Sequence, residues 1–126
     1  MKIITLSGGK GTGKTTTLKA LYKRLKDSGA KDVYPPVSCP SSGSDEEYFI
    51  EFNGKHIGIV TSGDYSLETI WYMGVYYGRN SDILVIANSN KSRPFDIIKW
   101  HSLQTVDIIK VSISECNVED TIIKEL

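Results

Sequence analysis

The chain has 126 residues, 40% of them apolar and 24% charged, with 15 basic side chains against 15 acidic ones. That length suits one compact domain covering 1–126, because two separate cores would each be too small to stand alone. The ordinary composition and zero net charge exclude a disordered chain, a membrane span and a general field for nucleic acid, so a cytoplasmic globular protein is the expected class.

In chain order, residues 2 to 7 (Lys2-Ile3-Ile4-Thr5-Leu6-Ser7) predict a buried strand, with none of the marks of a signal peptide before it. Residues 14 to 28 predict a helix carrying Leu18, Leu21, Tyr22 and Leu25 on one face and stopped by Gly29. The Pro/Ser/Gly-rich run from Tyr34-Pro35-Pro36 to Ser44 predicts a loop. Tyr48 to Phe52 and His56 to Thr61 flank Asn53-Gly54, the strongest short signal for a hairpin. Apolar positions from Ser66 to Arg79 suit a helix, Ile83 to Ala87 a buried strand, and Pro94 to about Leu103 a short helix. Val106 to Ile113 closes the strands, and the tail from Val118 has a helical pattern. Strands alternating with helices predict an α/β protein whose sheet is mostly parallel, with about five strands and one antiparallel hairpin over 48–61.

The charge is unevenly spread. Residues 1 to 31 hold eight Lys or Arg against Asp27 alone, whereas residues 32 to 52 hold five acids and no base. Lys19, Lys23 and Lys26 recur at helical spacing and read as the wet face of the first helix. Cys39 and Cys116 are isolated thiols, and His56 and His101 complete no metal-ligand cluster.

Chemistry concentrates in Gly8-Gly9-Lys10-Gly11-Thr12-Gly13-Lys14-Thr15, followed by Thr16. Gly8, Gly13, Lys14 and Thr15 satisfy the pattern of Gly, four residues, Gly, Lys, then Ser or Thr, between a predicted strand and a predicted helix. Glycines let backbone N–H groups approach and ring phosphate oxygens at the positive end of the helix. Lys14 would neutralise charge between the β and γ phosphates. Thr15 would offer its hydroxyl oxygen to Mg²⁺, which prefers few protein oxygens beside phosphate and water.

On these residues the chain resembles the P-loop NTPase superfamily, whose members bind ATP or GTP and hydrolyse it or transfer its γ phosphate. The resemblance implies a three-layer α/β/α fold, bound Mg²⁺ and ATP or another nucleoside triphosphate, and Gly8 through Thr16 as the cradle. The loop also looks like that of the partitioning-type ATPases. Gly9 stands where those carry their extra lysine, and Lys10 comes one position later, so their use of a lysine across a dimer is not carried over.

Ligands of open α/β sheets bind at the carboxyl ends of the parallel strands. A strand 56–61 parallel to the first delivers Ser62-Gly63-Asp64 to the phosphate edge, and its partner 48–52 then begins there, bringing Ser41 to Glu47 near the nucleotide. Asp64 is the expected catalytic and magnesium-linked carboxylate, with helix capping as its other use and the hydroxyls of Thr61 or Ser62 as substitutes. Gly63 could offer its N–H to the γ phosphate. Arg93 follows a strand and precedes a helix, which puts it, with Lys91, on the active edge as the expected stabiliser of transferring charge. Asn90-Lys91-Ser92-Arg93 carries arginine where a guanine-reading aspartate would stand, so ATP is favoured over GTP. Three activities share this chemistry: hydrolysis, transfer to a small-molecule acceptor, and binding without turnover.

Overall fold

The computed structural model of the chain describes residues 2–8, 13–38, 46–61, 82–89, 107–114 and 116–126. They form six strands and two helices: β1 (Lys2–Gly8), α1 (Lys14–Asp27), β2 (Lys31–Ser38), β3 (Glu46–Phe52), β4 (Lys55–Val60), β5 (Ile83–Ser89), β6 (Asp107–Ser112) and α2 (Val118–Lys124). The strands lie in one sheet in the order β2-β3-β4-β5-β1-β6. β4 pairs parallel with β5, and β1 sits parallel between β5 and β6. β2, β3 and β4 run as an antiparallel meander.

This mixed sheet corrects the expected three-layer α/β/α architecture. It has six strands rather than about five, two antiparallel pairings rather than one, and only two helices among the described residues. Both helices pack on the same face. Leu18, Leu21 and Leu25 of α1 and Val118 and Ile122 of α2 share one core with Ile4, Leu6, Ile50, Ile57, Ile59, Val85 and Val111. An Arg24–Asp120 ion pair ties the helices together. The predicted helices 66–79 and 94–103 lie outside the described residues.

The sixth strand comes from the stretch read as a loop. Pro35 and Pro36 lie within β2, at the sheet edge, where a missing N–H breaks no central ladder bond. The β2–β3 register slips between Asp32 and Tyr34 and again between Tyr34 and Val37, so the prolines are accommodated by irregular pairing. A Pro-rich composition therefore hid a strand that only its neighbour could stabilise.

Elsewhere local signals and structure agree. Asn53 and Gly54 take positive φ values of 52° and 75°, the primed-turn geometry that matches strand twist, and join β3 to β4. Gly29 has φ 103°, and the Ala30 N–H returns to the Leu25 carbonyl at 2.9 Å, closing α1 as a glycine stop should. The first turn of α1 holds Thr15, Thr16 and Thr17, β-branched residues of low helix propensity. Burial of Leu18, Leu21 and Leu25, at about 1.5–3 kcal/mol each, outweighs that deficit of roughly 0.5 kcal/mol per threonine.

The face of the sheet away from the helices is apolar too. Phe49, Val60, Leu84 and Ile86 point there and are buried, which is why β4 and β5 read as continuous apolar runs without alternation. Thr5 shares that face, and its hydroxyl is the one buried side-chain polar atom without a hydrogen-bond partner among the described residues.

Candidate nucleotide site

The topology puts the ends of β1, β4, β5 and β6 and the start of β3 at one edge. Gly8 ends β1 there, and α1 starts at Lys14 after Gly13, whose φ of 87° is open mainly to glycine. Gly13 has no side chain with which to cap the helix, and no acid stands in the first turn, so α1 presents positive potential toward the loop.

Lys14 is 92% buried, and its ammonium turns back to donate to the Gly8 carbonyl at 2.8 Å. The contact spans the whole loop, from the last residue of β1 to the first of α1. It holds a cation at the carboxyl end of β1. Thr15, next along, directs its hydroxyl proton to the Thr61 carbonyl just beyond β4, at 3.2 Å. Since a threonine hydroxyl has one proton, the side of Oγ1 that meets a cation meets it with lone pairs. Thr16 is exposed.

Thr61 is fully buried and joins three elements. Its N–H donates to the Glu46 carbonyl at 3.1 Å, and its Oγ1 accepts the Glu46 N–H at 2.9 Å. Glu46, first residue of β3, is thereby fixed beside the strand end that meets Thr15. Its carboxylate accepts the Tyr48 hydroxyl at 2.6 Å. Tyr48 stacks on Tyr22 of α1, with ring centroids 3.8 Å apart and planes 2° from parallel. The Tyr22 hydroxyl donates to Asp32 at 2.7 Å, as Lys26 does at 2.6 Å.

Within this run of contacts, the Lys26–Asp32 ion pair joins the basic first stretch of the sequence to the acidic second one. Burial pushes the Tyr22 phenol up to about 12, reinforced by its bond to Asp32 and by the charges of Asp32 and Glu46. Burial also raises Tyr48, with Glu46 adding to the shift. For Asp32 burial acts upward, but the bonds from Lys26 and Tyr22 and the Lys26 charge prevail and hold the carboxyl below its usual range.

Of the residues expected at the site, Gly8, Gly13, Lys14 and Thr15 meet at this edge. Gly9, Lys10, Gly11 and Thr12 lie outside the described residues, as do Ser62, Gly63, Asp64, Lys91 and Arg93. Thr61 joins the site through its carbonyl rather than the hydroxyl that sequence suggested. Glu46 was legible only as the end of a loop, although counting outward from the Asn53-Gly54 turn pairs it with Thr61. Arg24 is engaged with Asp120 on the helix face. No group of three His, Cys, Asp or Glu that could hold a metal occurs among the described residues. Nor is any helix among them long and apolar enough to cross a membrane.

The donor set suits a cation delivered with its ligand. With its proton directed at the Thr61 carbonyl, the Thr15 oxygen has lone pairs that can serve as one ligand to such a cation. No protein-family model and no solved structure matches the chain.

Proposed function

We propose that this protein binds a nucleoside triphosphate together with Mg²⁺, ATP in preference to GTP, and hydrolyses it. The observation that carries the reading is the pairing of the Lys14 ammonium on the Gly8 carbonyl with the Thr15 hydroxyl on the Thr61 carbonyl, both at the carboxyl edge of parallel strands. A triphosphate entering the loop offers Lys14 better acceptors than a neutral carbonyl, so the ammonium exchanges Gly8 for phosphate oxygens. Thr15 would meet the cation through its lone pairs while its own proton stays directed at the Thr61 carbonyl. When bound, Mg²⁺ supplies charge neutralisation between the β and γ phosphates.

The helix N-terminus adds its partial charge to that of Lys14. Asp64 and Arg93 enter this reading from the sequence, Asp64 as a carboxylate beyond β4 and Arg93 as the cation that stabilises the departing γ phosphoryl group. The cytoplasm is the setting it assumes.

The test mixes protein, ATP and Mg²⁺, with and without a library of small metabolites, and follows the phosphorus species. Release of inorganic phosphate without any added acceptor is the expected result. ADP formed only with an acceptor would make the protein a kinase, and tight binding without turnover a nucleotide-responsive module.

A further inference from the structure

We propose that Glu46 is a positioning residue for the magnesium ion, acting through the ion's bound water, and that it supplies a carboxylate from β3 beside the end of β4. The inference rests on the nucleotide reading above. β4 ends on Val60-Thr61, and the Thr15 proton finds a neutral carbonyl there. A magnesium ion on a triphosphate keeps several waters, and those waters need acceptors, for which a carboxylate serves best.

Glu46 is the described acid best placed to serve. Two hydrogen bonds lock its backbone to Thr61, the residue that also receives Thr15. Its side chain lies on the α1 face, as the bond from Tyr48 and the Tyr48–Tyr22 stack require. Asp32 is committed to Lys26 and Tyr22, Asp120 to Arg24, and Asp82 holds the His56 N–H at the opposite edge. Glu47, next in β3, alternates to the other face.

Electrostatics gives the role its sign. A carboxylate beside a bare triphosphate repels it, whereas beside the magnesium complex the cation stands between and the same charge attracts. Glu46 should therefore oppose binding of metal-free ATP and favour binding of Mg-ATP. A residue that only braced the fold would move both affinities in the same direction. Tyr48 restrains the carboxylate by donating to one oxygen, and the other oxygen is the acceptor that the proposal assigns to a metal-bound water.

The experiment measures ATP affinity by calorimetry with Mg²⁺ and with excess EDTA, for the parent, Glu46→Gln, Asp64→Asn and Glu51→Gln. Glu46→Gln preserves an acceptor for the Tyr48 hydroxyl. The double variant Glu46→Ala/Tyr48→Phe removes both partners, leaving neither unpaired, and gives a second route to the same readout.

Both Glu46 variants are expected to lower the magnesium-dependent gain in affinity by about tenfold, the usual cost of losing an outer acceptor, while EDTA affinity stays level or rises. Glu51→Gln, at the far end of β3, should behave as the parent. A magnesium gain within about twofold of the parent in both Glu46 variants overturns the proposal, as does a loss confined to Asp64→Asn. Parent protein that binds no ATP in either condition overturns the nucleotide reading and this inference with it.

Discussion

Thr15 and Thr61, 46 positions apart in the chain, are joined by one hydrogen bond of 3.2 Å from a side-chain hydroxyl to a backbone carbonyl. The bond fixes the rotamer of Thr15 and decides which side of its oxygen can meet a cation. Thr15→Ser keeps the hydroxyl and should keep magnesium-dependent ATP affinity close to the parent's. Thr15→Val removes the donor from a partly buried carbonyl and should cost about 1 kcal/mol of stability as well as the magnesium gain. Paired denaturation and calorimetric titrations read both effects.

Lys14→Ala should weaken ATP binding by about tenfold to a hundredfold, since charge-assisted bonds to phosphate contribute roughly 1.5–3 kcal/mol each. The loss should appear with Mg²⁺ and with EDTA alike, because the proposed reading gives Lys14 to phosphate rather than to metal. A variant that binds ATP as well as the parent would refute the triphosphate reading.

Thr5 lies in the interior strand β1, with its hydroxyl buried and without a hydrogen-bond partner among the described residues. Thr5→Val replaces that hydroxyl by a methyl of similar size and is expected to raise stability by about 1 kcal/mol, measured as an increased urea midpoint at unchanged slope.

The Tyr22 phenol titrates near 10 in an unfolded chain and about 12 in the folded protein. Folding therefore favours its protonated form, so this contribution to stability is complete below pH 10 and disappears as pH rises through 10 to about 12. Unfolding midpoints measured across that window should fall more steeply for the parent than for Tyr22→Phe. Equal slopes would show that burial and the Asp32 bond do not hold the phenol as described.

Much of the local structure was legible because it depends on neighbours in sequence. Asn53-Gly54 specifies a primed turn by its own backbone preferences, and the spacing of Leu18, Leu21 and Leu25 specifies a helix face. Glycine at 13 and 29 likewise announced positive φ at both ends of α1. The sheet was less legible. β2 is composed like a loop and exists as an edge strand because β3 offers it a ladder, which composition cannot report.

The spacing of Gly8, Gly13, Lys14 and Thr15 by itself gave a phosphate-binding loop as the expected chemistry, since all four fall in one short segment where a predicted strand passes into a predicted helix. Only the tertiary structure decided what surrounds that loop. Strand order and hairpin register carry Thr61 to Thr15 and Glu46 to Thr61, contacts made between separate strands and a helix. Their partners are chosen by burial of the shared core, a cooperative quantity that no single segment encodes.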